Sequence, residues 1–320
     1  MSAEPLTLLL NVLAIAIVCF VLHNIAVSAF VTLLSTRFLK LQVKSRKITL
    51  WFLATLPWFS AFSTAAYFVY AANGLSPFES ASSMDQWHHI DSFSWFSWHG
   101  AVTACALVFL VYVISSRLLK LRAHQHEIKS LMALSHKLDN NTFEIDSNDA
   151  AAFTAGFISP KCFVTKGMRE QISETEYHIV MQHELAHANK RDPLKKWLFA
   201  LLATFFIPNI KQRLVLHMTL AMEQDADNAV VSNTTSTLDI AGTLVKVARL
   251  NATGSTLKNT DMVANFGADV LAQRVYFLLG QLSLKPVNHL LMMLLAVAAF
   301  FLCLTSVDSI HHFIETFTSH

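Results

Sequence analysis

Four stretches of this chain stay apolar for about twenty residues or more, and a soluble core of this size could not bury all of them. They run from about Leu6 to Leu34, Thr49 to Ala72, Trp95 to Ile114 and Val287 to Val307. Each is long enough for a helix to cross a hydrocarbon layer roughly 30 Å thick. With 53% hydrophobic and only 14% charged residues, the sequence reads as a membrane protein. The first stretch exceeds a signal-peptide core and has no basic residue ahead of it, so it is expected to remain as an anchor.

The 24 Lys and Arg residues sit in only two places, five between Arg37 and Lys47 and nineteen between Arg117 and Lys285. With four crossings these two segments share one side, and basic residues near span ends mark it as cytoplasmic. Both termini and the connection from Asn73 to Ser94 lack Lys and Arg, so they are expected outside a bacterial-type inner membrane. The fold class expected is mainly α: four transmembrane helices with a cytoplasmic α+β domain inserted between the third and fourth. Residues 1–116 form a membrane domain with three spans (about 6–34, 49–72 and 95–114). Residues 117–285 form the cytoplasmic domain, and residues 286–320 hold the fourth span (about 287–307) and a short outside tail. The four cysteines lack metal-site spacing and are expected as free thiols.

Past the third span, Leu121, Ile128, Leu131, Met132, Leu134 and Leu138 keep helical spacing, so an amphipathic helix is expected until Asp139, Asn140 and Asn141 end it. From Thr142 to Thr165, short apolar runs broken by Gly156 and Pro160 predict two or three strands. Ser173 and Glu176 make a capping box that opens a helix from about Glu174 to Asn189. Asp192 and Pro193 read as the N-cap and first turn of the next helix, Leu194 to about Ile207. Its apolar run from Trp197 is too short to span, and suits either a core helix or one dipping into the inner leaflet. Pro208 and Asn209 break the chain before a helix from about Lys211 to Val231, and two more follow near Leu238 to Leu250 and Ala268 to Gln281.

His183-Glu184-Leu185-Ala186-His187 places two imidazoles at i and i+4 of the capped helix, about 6 Å apart at Cβ, which suits two corners of a zinc tetrahedron. Glu184 sits where it can take a proton from a zinc-activated water rather than ligate. Downstream, Glu223 and Asp227 are also i and i+4 on one face, so one carboxylate can complete the ligand set while the other orients a histidine. An acidic pair on a helix is by itself usually a solvated face; the upstream histidine pair reverses that reading.

The run Met181 to His187, then Lys190-Arg191-Asp192, an apolar helix broken by Pro208, and Glu223 with Asp227 resembles the BlaR/MecR-type antirepressor metallopeptidases (metallopeptidase family 56). These are gluzincins with a cytoplasmic zinc-protease segment between the third and fourth membrane helices. The stretch Gly156 to Val164 is similar to the hairpin that precedes their zinc helix. The resemblance implies His183, His187 and Glu223 as ligands of one Zn²⁺ per chain, Glu184 as the catalytic general base, and Asp227 in support of a histidine. It implies a protein substrate, a transcriptional repressor or the chain itself, cut in signalling or regulated proteolysis, with homodimerisation an option and no direct contact with nucleic acid. Those antirepressors continue into a penicillin-binding sensor, whereas this sequence ends shortly past Val307, so β-lactam sensing is not expected of it. The motifs are also similar to the prenyl-protease and HtpX group of membrane gluzincins, which share the later E-x-x-x-D; the four-span layout favours the first family.

Other classes fit less well. A non-catalytic scaffold stabilised by zinc has no need of Glu184, and an intramembrane protease would not flank its motif with Tyr177, His178, Asn189, Lys190 and Arg191. A transporter would carry more ionisable groups in its spans. Substrate backbone is expected to pair with an exposed strand edge around Cys162 to Thr165, and Tyr276, Arg274 and His217 are candidate oxyanion donors. His23 and Asn24 are expected to pack against a neighbouring helix. His88, His89 and His99, with Trp87, Trp95 and Trp98, form an outer aromatic belt. A phosphatase reporter fused after His320 is expected to be active only outside the cytoplasm; activity of a cytoplasm-restricted reporter there would overturn the orientation.

Overall fold

A computed structural model of the chain describes residues 5–72, 93–231, 235–254, 261–288, 290–302 and 316. Helices α1 (Pro5–Phe38) and α2 (Val43–Ala72) form a hairpin, and α3 (Trp98–Leu134) packs against α1. The segments Leu6–Phe38, Val43–Tyr70 and Trp98–Leu134 are long and apolar enough to cross a membrane. Helix α3 buries His99, Gly100, Thr103 and Val113 while exposing Val108, Val111 and Tyr112. An apolar face turned outward with polar groups turned in is the reverse of a water-facing helix and suits lipid. The apolar helix Leu290–Leu302 is shorter than a span, and residues 303–307 of the expected fourth crossing lie outside the described residues, as do His88, His89 and Trp87. His23 and Asn24 both bond back to carbonyls of their own helix, those of Cys19 and Phe20. Cys19, Cys105 and Cys162 are free thiols.

Helix α3 stops earlier than its hydrophobic spacing predicts. Ser135 turns to extended geometry (φ −107°, ψ 152°), and β1 (Ser135–Lys137) pairs antiparallel with β2 (Thr142–Ile145). Ile128, Leu131 and Met132 pack on the sheet, but Leu134 and Leu138 are exposed and leave the expected stripe. Strand β4 (Lys161–Thr165) runs parallel to β2 and antiparallel to β3 (Ala152–Ala155), giving the order β1-β2-β4-β3. The two-residue period of a strand divides the sheet's faces. Phe143, Phe163 and Phe153 stack in register on one face, with ring centroids 5.6 and 5.3 Å apart, against α3. Cys162 and Val164 face the other way, onto Met168, Ile172 and Met181 of the helical layer.

That layer holds α4 (Lys166–Gln171), α5 (Glu174–Lys190), α6 (Asp192–Ala203), α7 (Pro208–Val230), α8 (Thr237–Gly254) and α9 (Asp261–Leu278). The Ser173–Glu176 capping box is present at the start of α5. Pro208 opens α7 at its first turn instead of standing outside it, because the fixed proline φ suits a position whose N–H has no helical partner. Helices α6 and α7 share one hydrophobic core with the hairpin: Val27, Val31, Leu50 and Leu53 meet Phe199, Phe206, Leu214, Met218 and Met222. Trp51 and Phe199 lie 5.3 Å apart, and Phe205 sits among Phe20, Trp58 and Phe109. The end of the 192–207 segment thus packs against all three membrane-length helices.

Two polar connections fix the hairpin's turn to the helical layer. Arg46, fully buried, donates to Gln224 Oε1 at 2.9 Å and to the carbonyls of Leu39 and Leu41. The main chain at Leu41 bridges to Lys285, with Gln42 N to Lys285 O at 2.9 Å and Lys285 N to Lys40 O at 2.8 Å.

Gly167, at the start of α4, lies so close to the 146–149 turn that a Cβ would stand 2.0 Å from the Asn148 carbonyl oxygen. Gly167→Ala is expected to lower stability by roughly 1–3 kcal/mol, read as a lower thermal midpoint in detergent. Gly242→Ala, in α8 with nothing within 4 Å of its Cβ, is expected to hold or raise the midpoint, since alanine is the better helix former.

Candidate metal centre

The capped helix α5 carries His183 and His187 one turn apart, and α7 crosses it with Glu223 opposite. Three candidate ligand atoms converge: His183 Nε2 and His187 Nε2 are 3.1 Å apart, and Glu223 Oε2 lies 3.3 and 3.6 Å from them. Ligands at about 2.0–2.1 Å from a tetrahedral zinc stand about 3.3 Å from one another, so this spacing fits zinc. The tautomers fit as well. His183 Nδ1 is 3.0 Å from Asp227 Oδ1 and His187 Nδ1 is 2.7 Å from Asp192 Oδ2. With each Nδ1–H given to a carboxylate, both Nε2 lone pairs aim at the same point as Glu223 Oε2, an arrangement that a cation satisfies.

The chain's local geometry places Asp192 there. Helix α5 ends at Arg191, whose φ of 53° is left-handed and costs a non-glycine residue about 1–2 kcal/mol. That turn brings Asp192 back beneath His187. Asp192 thus does not cap α6, which has no side-chain cap, and its carboxylate is spent on the imidazole. This role escaped sequence reading because an Asp before a Pro has the ordinary look of a helix start.

The five residues from Glu223 to Asp227 are engaged on every polar side chain. Glu223 Oε1 accepts from Lys196 at 3.0 Å, and Arg274 Nη1 lies 3.3 Å from its other oxygen. Gln224 holds Arg46 and also donates to the Gln273 carbonyl. Asp225 pairs with Lys47 and Lys190. Asp227 takes both His183 and a two-pronged contact from Arg274, at 2.8 and 2.7 Å. Burial pushes Glu223 toward neutrality, but hydrogen bonds from His183 and His187 and the charges of Lys196 and Arg274 outweigh it, so the carboxyl sits well below its ordinary range. Asp227 is likewise lowered against its burial, chiefly by Arg274 and His183. Lys196 and Asp192 were not foreseen from the sequence.

Of the candidate oxyanion donors, Arg274 is at the site but committed to Asp227 and Glu223. His217 packs on Phe38 in the core shared with the hairpin, where burial pushes its pKa down to about 4, and Tyr276 is exposed. Neither is brought to the histidine pair by any contact among the described residues. The strand edge expected at Cys162 to Thr165 is also not open: β4 lies between β2 and β3, both its edges are paired, and the sheet ends instead at β3 on this side and at β1 on the other. Thr154 of β3 donates to Glu184, 2.7 Å from Oε2 and 2.8 Å from its carbonyl oxygen.

Burial would lower the His187 pKa, but hydrogen bonds to Asp192 and Glu223 outweigh it and push it up to about 9 without metal. An unfolded histidine loses its proton near pH 6.5, so this contribution to stability is complete below about 6.5 and lost as pH rises through about 9. Zinc competes for the same nitrogen, so its affinity rises across that window. Melting of metal-free protein between pH 6.5 and 9 is expected to show the falling stability. Asp192→Asn is expected to flatten that fall and weaken zinc binding roughly 10–100-fold.

Among curated proteins, no relative matches this chain. Residues 115–299, more than half of the chain, match the model of Peptidase family M48. The match spans the sheet, the histidine helix and the Glu223 helix, and the family's peptidases are typically zinc-dependent, in keeping with the donor set at His183, His187 and Glu223. With that geometry and that match, the chain belongs to peptidase family M48, a family of metallopeptidases.

Proposed function

We propose that this chain is an integral membrane zinc endopeptidase that cuts a cytoplasmic or membrane-proximal protein at a site just inside the lipid boundary. The observation that carries the reading is the convergence of His183, His187 and Glu223 beside Glu184, with the helix that carries Glu223 sharing a core with two membrane-length helices. His183, His187 and Glu223 hold the zinc; Asp227 and Asp192 fix the two imidazoles, and Arg274 and Lys196 keep Glu223 charged. Zinc held there supplies Lewis acidity toward water and the scissile carbonyl. Glu184 accepts the proton of the attacking water and returns it to the leaving amine as the peptide bond breaks. The substrate lies extended along the free edge of β3, adding a strand to the sheet, so that main-chain hydrogen bonds bind it with little side-chain readout.

The basic residues at Arg37 to Lys47 and Arg117 to Lys285 support a cytoplasmic site and a multi-pass inner-membrane chain with outside termini. The BlaR/MecR-type reading adds a repressor or the chain itself as substrate and a signalling role; the resemblance of the motif order supports it. Membership in peptidase family M48 is equally consistent with a prenyl-protease or HtpX-like quality-control peptidase acting on membrane proteins. Comparing cleavage of a cytosolic repressor with cleavage of an unfolded membrane protein separates the two.

Glu184→Gln in detergent-purified protein is expected to keep one zinc per chain and lose about 10²–10⁴-fold in kcat. Full zinc with unchanged cleavage would replace the enzyme by a zinc-stabilised scaffold.

A further inference from the structure

Glu184 needs one carboxylate oxygen free and correctly aimed, and a glutamate on a helix face has three side-chain torsions with which to miss. In this chain one neighbour on a different element removes that freedom. Thr154 projects from the edge strand β3, and its Oγ1 lies 2.7 Å from Glu184 Oε2. The same oxygen is 2.8 Å from the Glu184 carbonyl and 3.8 Å from Cys162 Sγ, its register partner on β4. A hydroxyl has one hydrogen to give, and the carboxylate is the stronger acceptor. Beneath it, Cys162 is fully buried and burial pushes its thiol up to about 11, so it keeps a hydrogen that it can give to Thr154. Thr154 is itself stiff about its first torsion, as β-branched side chains are.

We propose that Thr154 is a positioning residue for Glu184: its hydroxyl anchors Oε2 so that Oε1 faces the water that attacks the substrate. This rests on the reading of Glu184 as general base. The H-E-x-x-H spacing does not demand a hydroxyl at this point, and a strand pairing with substrate needs only backbone there. The hydroxyl also ties the base to the substrate-binding edge, so β3 and Glu184 keep one relative position when an extended chain docks.

The test uses full-length zinc-loaded protein in detergent, with fluorescently labelled casein as probe, and compares wild type, Glu184→Gln, Thr154→Val and Thr154→Ser. Thr154→Val is expected to lose about 10–100-fold in kcat with KM within about twofold and with zinc still stoichiometric. Thr154→Ser, which restores the hydroxyl, is expected to return within about threefold of wild type. Wild-type kcat in Thr154→Val, equal losses in Val and Ser, or loss of zinc in Val would each overturn the positioning role. Equal cleavage by wild type and Glu184→Gln would instead overturn the peptidase reading. In that case a second measurement decides the contact: a thermal-midpoint cycle of Thr154→Val with Glu184→Ala on metal-free protein. Non-additive midpoints support the anchor, and additive ones overturn it.

Discussion

A guanidinium stripped of water, that of Arg46, decides how the membrane hairpin and the metal centre face each other. A buried charged donor that loses its acceptor costs more than the roughly 1–3 kcal/mol of a neutral group, so an arrangement that keeps the acceptors of Arg46 in place is favoured. Arg46 meets two carbonyls of its own turn and one distant side chain, Gln224, which follows Glu223 directly in the chain. Lys47 repeats the connection one residue on, at Asp225. Helix α7 cannot slide or rotate against the hairpin without taking Gln224 from Arg46 and Asp225 from Lys47. The carboxylate that faces the histidines is thus held from the membrane side, and the hydrophobic core of Leu50, Phe199, Leu214 and Met218 fills the space around that restraint.

At the centre itself, charge is arranged in alternation. Asp227 lies between His183 and Arg274, Glu223 between the imidazoles and the cations Lys196 and Arg274, and Asp192 beneath His187. Burial by itself would push Glu223 and Asp227 toward neutrality, but the partners of each outweigh it. The two carboxylates therefore stay ionised, while His187 without metal keeps a proton that a bound cation displaces. The same economy explains why the acidic run of α7 is not a solvated face: each of its polar side chains has a partner on another element.

What could be read from the sequence follows the range of each interaction. The histidine pair, Glu184, and the Glu223–Asp227 pair obey one helical period, so spacing alone brings each set to one face, and Ser173 with Glu176 announces the helix that carries the first. The three membrane-length helices follow from composition and length. Asp192 under His187 was hidden because it depends on the left-handed Arg191, a conformation that nothing in Lys190-Arg191-Asp192 demands. Lys196, Arg274 as a carboxylate clamp, Arg46 on Gln224, and Thr154 on Glu184 are contacts between distant parts of the chain. Strand order is equally non-local: Phe163 to Thr165 has the best strand composition because β4 is central and buried, and for that reason it offers no open edge. The end of α3 was misplaced since Leu134 and Leu138 continue its spacing, while the pairing with β2 that stops it lies outside any local window.

Helix α3 is 37 residues without interruption, about 55 Å of rigid rod, and it passes into β1 with no intervening loop. A rod with no slack makes the sheet mechanically continuous with the opposite end of the helix at Ser97. A tilt imposed at that far end would swing Ile128, Leu131 and Met132, and through them the phenylalanine stack whose last member, Phe153, is next in sequence to Thr154. In this architecture α3 is a direct mechanical link between its Ser97 end and the edge strand beside Glu184.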